Sequence, residues 1–337
     1  MKQKHKTSGR AKRLRRREIL ALFGGVAVAW PNFVRAANTM PPRVSFLAIG
    51  FGSDTTGFDV IRDQLRALGQ IDGRSYQPDY HMSDDAVQFS GIMQDVIRSN
   101  PSIIVTIDTA TALDIFALTH SIPIVVAFLS DPLVLGFTNS MARPTANVTG
   151  ILGLQEVMIG KRIEILDEIV PSLRRVAILY LKGNVSHELS LAAGKQATSS
   201  RPLELIPLGI AAGDSIEQIL DRDDIGHLDG LIVLASPVTM SMRRSIIAAE
   251  RARRIPAVHS FPFEVEEGAL AAYGPEPAEC FQRAAEYVDR LLRGAKVADL
   301  PFDVPRTILL SLNQGTARAL GLIIPPPLLA TADKIIE

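Results

Sequence analysis

The chain has 337 residues, of which 47% are hydrophobic and 21% are charged, a composition that is typical of a folded globular protein and argues against extensive disorder. Its length exceeds what one hydrophobic core usually organises, which favours two lobes. The formal net charge is zero, but residues 37–337 hold only 26 of the 36 basic residues and 35 of the 36 acidic ones. Such an acidic body predicts no nucleic-acid partner, because binding to phosphates requires a basic surface.

The first predicted element is a cleavable twin-arginine signal peptide at residues 1–36. Arg16-Arg17 stands in a strongly basic start, and an apolar run follows over residues 19–30. As a helix this run would span about 18 Å, which is too short for a bilayer core of about 30 Å. Val34-Arg35-Ala36 predicts cleavage after Ala36 and therefore a periplasmic protein. A basic nucleic-acid arm and an uncleaved anchor are the alternatives.

From residue 43 onward, short β-branched runs alternate with helical periods. In the first half we predict strands at 43–49, 75–81, 103–107 and 124–128, with helices at 58–68 and 89–97. In the second half we predict strands at 176–181, 203–206, 230–234, 257–260 and 307–312, with helices at 159–170, around Leu189, and at 216–220, 240–254, 276–293 and 314–320. Near-continuous apolar strands separated by helices indicate α/β architecture with parallel sheets covered on both faces.

The alternation restarts near residues 147–150, which predicts two doubly wound lobes of similar build. We expect lobe 1 to comprise residues 41–148 plus about 275–303, and lobe 2 to comprise residues 149–274 plus about 304–337. The late strand at 307–312 indicates that the chain returns to the second lobe, with further crossings near 272–275 and 304–307. Crossings of this kind form a hinge, about which two lobes close on a ligand.

The candidate ligand-binding residues follow from where parallel sheets bind ligands, beyond the carboxyl ends of their strands and at helix N-termini. These residues are Ser53, Asp54, Thr109, Ala110, Thr111, Ser130, Asp131, Asn184, Ser236, Ser260 and Phe261. We expect an anionic ligand group at residues 109–111, and a cationic group at Asp131 or, as second candidate, Asp54. Each loop has a simpler interpretation, in which Asp108 caps a helix and Asp131 starts a turn before Pro132.

Motifs for catalysis and metal binding are weak or missing in the sequence. Gly50-Phe51-Gly52 begins like a dinucleotide fingerprint, but Thr55 stands where the third glycine belongs. The six histidines lack metal-ligand spacing, and the single cysteine, Cys280, reads as a structural thiol in a helix. Ser186-His187-Glu188 has suggestive residue types, but catalytic triads combine residues that are distant in sequence. We therefore predict no catalytic residue, no metal and no cofactor.

Several stretches, in a fixed order, are similar to one family. They are Arg16-Arg17-Glu18, 122–126, Ser130-Asp131-Pro132, 142–150, 160–166, Tyr273-Gly274-Pro275, 284–289, Leu300-Pro301, 319–326 and 332–336. Through them the chain resembles the ABC-transporter substrate-binding proteins of the tryptophan/tyrosine-import type. The resemblance implies a type I periplasmic-binding fold with three crossings, an amino acid or related acid held between the lobes, permease subunits in the inner membrane as partners, and no catalysis. Asp108 stands where the family often has Gly, which would place a negative charge near a ligand carboxylate.

These observations together predict a monomeric periplasmic binding protein of an ABC importer, which captures a small organic ligand by hinge closure. Two alternatives remain open at this stage. One is a periplasmic sensing module that passes its ligand signal to a receptor, and the other is a secreted α/β enzyme. The sequence does not name the ligand.

Overall fold

A computed structural model describes residues 40–50 and 55–337. The predicted signal peptide with its cleavage site, and the candidate residues Ser53 and Asp54, lie outside the described residues. Within the described part of the chain, no helix is both long and apolar enough to cross a membrane.

The first sheet has five strands, and all of its neighbouring strands are parallel. The strands are β1 (Arg43–Ile49), β2 (Gln77–Ser83), β3 (Ile103–Asp108), β4 (Ile124–Leu129) and β5 (Val148–Leu152), in the spatial order β2-β1-β3-β4-β5. Helices α1 (Thr56–Ala67), α2 (Ala86–Arg98) and α3 (Thr109–Leu118) connect the first four strands. This order places the carboxyl ends of β3 and β4 side by side in the middle of the sheet.

The second sheet has seven strands. They are β6 (Arg175–Leu181), β7 (Glu204–Ile210), β8 (Gly230–Val233), β9 (Ala257–His259), β10 (Ala271–Pro275), β11 (Ile308–Asn313) and β12 (Lys334–Ile336), in the order β12-β11-β10-β9-β8-β6-β7. The β10–β11 pair is antiparallel, and the other pairs are parallel. The remaining helices are α4 (Gln155–Ile169), α5 (Val185–Thr198), α6 (Ile216–Leu220), α7 (Pro237–Ser241), α8 (Arg243–Arg253), α9 (Phe263–Glu266), α10 (Pro277–Leu292), α11 (Gln314–Leu320) and α12 (Pro326–Thr331).

Each sheet carries an apolar core on both of its faces. In the first sheet, one face packs against α2 and α3, and the other packs against α1 and α10. Helix α10 contributes Cys280, Ala284 and Val288 to the core that contains Val44 and Phe46. Burial raises the pKa of the Cys280 thiol to about 12, in keeping with a structural role. The two-lobed α/β fold with largely parallel sheets is as predicted.

The connections between the two sheets lie side by side. The backbone N–H of Leu152, at the end of β5, donates to the carbonyl of Asp303 at 2.8 Å, and the N–H of Glu276 donates to the carbonyl of Thr307 at 3.2 Å. From α10, Arg283 pairs with Asp303, while the Glu279 carboxylate accepts from the N–H of Thr307 at 2.9 Å. Strands β5 and β10 occupy the residues near which we predicted two of the crossings, and the chain crosses directly after them. The exact lobe boundaries stay predictions.

Candidate ligand-binding site

A cavity of about 560 Å³ lies where the carboxyl ends of the two sheets face each other. The first sheet contributes residues 107–109 at the carboxyl end of β3 and residues 128–130 at the carboxyl end of β4. The second sheet contributes Asn184 after β6, residues 235–236 after β8 and Phe261 after β9. The volume falls within the range of about 300–1,000 Å³ that is typical of small-molecule sites.

Four phenylalanines form the apolar wall of this cavity. The ring of Phe128, from β4, meets the edge of Phe261 at a centroid distance of 5.6 Å and that of Phe281 at 5.3 Å. Phe261 stacks on Phe263 at 5.8 Å. Because Phe128 belongs to the first sheet and Phe261 follows a strand of the second, this aromatic contact joins the two lobes. Such rings favour a ligand with a flat apolar or aromatic body.

Helices α1, α3, α5, α7 and α10 all begin at the cavity. Helix N-termini carry free N–H groups and partial positive charge, which favour anionic ligand groups. Several of these N–H groups are already capped, since Asp108 accepts from Thr111 N–H at 3.0 Å and Asn184 accepts from His187 N–H at 3.1 Å. Thr55 gives α1 no side-chain cap. Leu154 likewise gives no side-chain cap to α4, whose first residue, Gln155, also lines the cavity.

The charged groups on the cavity wall are Asp108, Glu276 and Arg243. Burial raises the pKa of the Asp108 carboxyl, and hydrogen bonds from Thr111 and Ala110 oppose that rise. Arg243 is already bound to both oxygens of Glu267, at 2.8 and 3.2 Å. The carboxyl groups of Asp108 and Glu276 suit a cationic group such as an ammonium, whose approach would favour the ionised form of Asp108.

Five of the predicted site residues line the cavity, namely Thr109, Ser130, Asn184, Ser236 and Phe261. Thr109 also joins the ends of β3 and β4, because its hydroxyl accepts from the Ser130 N–H at 2.9 Å. Ala110 and Thr111 do not line the cavity; the Thr111 hydroxyl instead donates to Asp108 at 2.9 Å.

Asp131 and Ser260 have structural contacts and lie outside the cavity lining. The Asp131 carboxylate accepts from the N–H of Leu133 at 2.8 Å, so it closes the turn that its position before Pro132 indicated. It borders a second, smaller pocket of about 180 Å³. The Ser260 hydroxyl donates to the carbonyl of Val233 at 3.0 Å and accepts from the N–H of Ala235 at 3.2 Å. We do not carry Asp131 into the proposed site as the partner of a ligand cation.

His187 supports the cavity from behind and is not a catalytic base. Its Nδ1 accepts from the Leu181 N–H at 2.7 Å, so the proton must lie on Nε2, which donates to the Ala235 carbonyl at 2.9 Å. The ring is buried and ties the end of β6 to the segment after β8. Burial lowers the pKa of His187 to about 4.

This depressed pKa predicts a loss of stability in mild acid. Below the ordinary value of 6.5 the unfolded chain takes up a proton that the folded His187 does not, so stability falls as the pH drops toward 4. The slope reaches at most about 1.4 kcal/mol per pH unit. Urea unfolding of the wild type and of a His187→Gln variant at several pH values measures this slope, and the variant should lose it. Equal acid slopes in the two proteins would exclude His187 as its source.

A charged cluster is buried beneath the Phe261 segment. His259 binds Glu250 through Nε2 at 3.0 Å and Glu264 through Nδ1 at 2.8 Å. Burial alone would lower the pKa of His259, but the two carboxylates outweigh it and hold that pKa at about 10. The second oxygen of Glu264 accepts from the Phe261 N–H at 2.9 Å. The cluster thereby fixes the backbone that carries one aromatic wall of the cavity.

Arg162 completes this cluster and links it to Gln155. The guanidinium is fully buried, donates to the Tyr273 carbonyl at 2.8 Å and donates to Gln155 Oε1 at 2.8 Å. Burial lowers the pKa of Arg162 to about 10, with Glu264 opposing that shift, so the group stays protonated at neutral pH. The cluster thus combines two cationic side chains, Arg162 and His259, with two carboxyl groups, Glu250 and Glu264.

Sequence reasoning missed several cavity residues. Gln155 and Phe281 lie on helices rather than on strand-end loops, and Phe128 is the penultimate residue of a strand that we predicted only as core. The strand-end rule would have found Phe128 if the last residues of each strand had been included. In the described part of the chain, no group of three His, Cys, Asp or Glu side chains is placed to hold a metal ion.

Two solved structures share the fold over most of this chain. A conserved domain protein from Vibrio cholerae matches with a TM-score of 0.76 and 23% identity, over 88% of this chain and 99% of that one. An ABC domain from Streptococcus pneumonia in complex with L-Trp matches with a TM-score of 0.78 and 19% identity, over 88% of this chain and 100% of that one. Among curated proteins, the tyrosine-binding protein of Clostridioides difficile (strain R20291) is 22% identical over 259 residues, which are 77% of this chain and 74% of the relative.

The family model named "ABC transporter substrate binding protein" matches residues 53–336, which include strands of both sheets and the cavity between them. Proteins of this family bind a substrate and do not transform it, which confirms the prediction that the chain is not an enzyme. Because the match spans most of the sequence, the chain belongs to the family of ABC transporter substrate binding proteins.

Proposed function

We propose that this protein captures an aromatic amino acid, or a closely related acid, in the cavity between its lobes and delivers it to an ABC importer. The observation that carries the proposal is the cavity of about 560 Å³ with four phenylalanines on its wall. Carboxylates at Asp108 and Glu276 suit the ligand's ammonium group, and helix N-termini suit its carboxylate. The names of two relatives, a tyrosine-binding protein and a domain in complex with L-Trp, support the same ligand class.

Capture requires the lobes to separate and close. Phe128 and Phe261 meet across the cavity, and Gly50, after β1, lies so close to α7 that a Cβ there would stand 2.6 Å from the Cβ of Pro237. Gly50 also has a φ of +78°, which glycine adopts without strain. We expect these contacts to open when the lobes separate. Three adjacent connections provide the place about which the lobes turn.

The predicted signal peptide supports a periplasmic location, where a binding protein meets its importer. Residues 1–36 lie outside the described structure, so cleavage after Ala36 and the twin-arginine route stay predictions. The permease subunits as partners, and the monomeric state, are likewise part of the proposal.

Ligand binding should raise the melting temperature of the mature protein. We expect L-tryptophan, L-tyrosine or L-phenylalanine to stabilise the fold by about 2.7 kcal/mol at 100 times the dissociation constant. A thermal-shift measurement with these three amino acids, and with L-aspartate and L-lysine as polar controls, tests the ligand class. Stabilisation by the polar amino acids alone, or by none of the five, would refute the proposal.

A further inference from the structure

We infer that Gln155 reads the carboxylate of the ligand through its side-chain N–H₂ group, whose orientation Arg162 fixes. This inference rests on the proposed function, since it names how the same cavity recognises an amino acid. Gln155 is the first residue of α4 and lines the cavity, with only 8% of its surface exposed.

The orientation of the Gln155 amide follows from its partners. Arg162 Nη1 donates to Oε1 at 2.8 Å. The Ser260 hydroxyl lies 3.2 Å from the same oxygen, but its single proton is claimed by the nearer Val233 carbonyl at 3.0 Å, so Arg162 alone fixes the amide. A guanidinium has five N–H donors and no acceptor, so the amide can only present its oxygen to Arg162. The opposite orientation would place two N–H groups against each other in a buried setting, which is costly.

With Oε1 turned toward Arg162, the Nε2 group is the part of Gln155 left for the cavity. Among the described residues, Nε2 has no hydrogen-bond partner. It is also not one of the completely buried side-chain atoms without a partner, so it keeps some solvent exposure. An amide N–H₂ group offers two donors, so it binds an acceptor on the ligand. A nearly buried donor without a protein partner discriminates strongly between ligands. A ligand that lacks an acceptor binds more weakly, because it leaves the donor unpaired.

A carboxylate is the acceptor that this setting favours. The protonated guanidinium of Arg162 lies directly behind the amide oxygen and polarises the amide, which strengthens donation from Nε2. Hydrogen bonds to an ionised oxygen are roughly twice as strong as neutral ones. The carboxyl groups of Asp108 and Glu276 belong to the same cavity, so Gln155 gives the carboxylate of a zwitterion a partner other than these two groups.

The decisive variant is Gln155→Glu. It keeps the size of the side chain and the acceptor for Arg162, but it replaces the N–H₂ donor by a second carboxylate oxygen. We expect the affinity for L-tyrosine and L-tryptophan to fall about 100-fold or more, because the introduced carboxylate would then face the carboxylate of the ligand within the cavity. Tyramine and tryptamine, which lack the carboxylate, should bind the variant as well as or better than they bind the wild type.

A second variant, Gln155→Met, removes both the donor and the acceptor of the side chain. Calorimetric titration of the wild type, Gln155→Glu and Gln155→Met with all four probes tests the inference. The melting temperature serves as the folding control, which should be unchanged in Gln155→Glu and lowered in Gln155→Met, where Arg162 loses its acceptor. Binding of the amino acids by Gln155→Glu within threefold of wild type, or equal losses for amino acids and amines, would overturn the role of Gln155 and leave the proposed function intact. Failure of the wild type to bind any of the four probes would overturn both.

Discussion

Replacing Glu264 by alanine is expected to lower the free energy of unfolding by about 3–5 kcal/mol, which is the usual cost of removing one partner from a buried ion pair. Glu264 is fully buried and binds His259 with one oxygen and the Phe261 N–H with the other. Without it, the interior keeps the positive charges of Arg162 and His259 against Glu250 alone. Denaturant unfolding at neutral pH measures the change.

The neighbouring Glu266 provides a matched control on the same short helix. Its side chain is 52% exposed and pairs with Lys334 at the surface, so Glu266→Ala should cost at most about 1 kcal/mol. Equal effects of the two substitutions would contradict the importance of the buried cluster.

Removal of Glu264 should also change the alkaline stability profile. The raised pKa of His259 contributes stability that is fully present below its ordinary value of 6.5 and is lost as the pH rises through about 10. In Glu264→Ala one of the two carboxylates that raise this pKa is gone, so the loss should begin at a lower pH than in the wild type.

The second large effect is expected for Gly274→Ala in β10. A Cβ at this position would stand 1.9 Å from the Ser260 carbonyl oxygen, which is backbone and cannot turn away as a side chain does. The strand β10 would have to move away from the segment after β9, at a cost of about 3 kcal/mol or more. Because that segment carries Phe261, ligand affinity should fall as well.

Gly91→Ala is the matched control, because it makes the same chemical change with the opposite expected sign. Gly91 lies in α2, and a Cβ there would meet no atom within 4 Å. Alanine should stabilise this helix by about 0.5–1 kcal/mol. Thermal unfolding of both variants tests the pair, and a Gly274→Ala protein as stable as the wild type would contradict the close approach of β10.

The sequence predicted those strands that are recognisable from a run of buried apolar residues. Strands β1, β3, β6 and β8 are near-continuous apolar runs because both faces of each sheet are covered by helices. Strand β5, by contrast, includes Thr149 and Gly150, and β10 includes Gly274 and Pro275, so the sequence pattern predicts crossings at these segments instead of strands. The antiparallel direction of β11 could not be predicted, because an apolar strand has the same pattern in either direction.

For the candidate site, the strand-end rule predicted the location but not the chemistry. Thr109, Asn184 and Ser236 were found because each follows a strand and begins a helix. The role of Gln155 depends on Arg162, which is seven positions away on the same helix, and on the direction in which that guanidinium points. A single sequence contains no signal for such an orientation, because it is set by packing of α4 against the second sheet.

The path of the chain through α10 has a consequence for how the protein folds during synthesis. The core of the first sheet, with Val44 and Phe46, is completed by Cys280, Ala284 and Val288, which leave the ribosome more than two hundred residues later. Until α10 has emerged, the face of the first sheet that packs against α1 and α10 is covered by α1 alone. The second sheet still lacks β11 at that stage. Neither lobe can therefore fold completely before α10 has been synthesised. We expect a nascent chain that ends before residue 277 to be prone to aggregation and to bind chaperones, because neither of its lobes has a complete core.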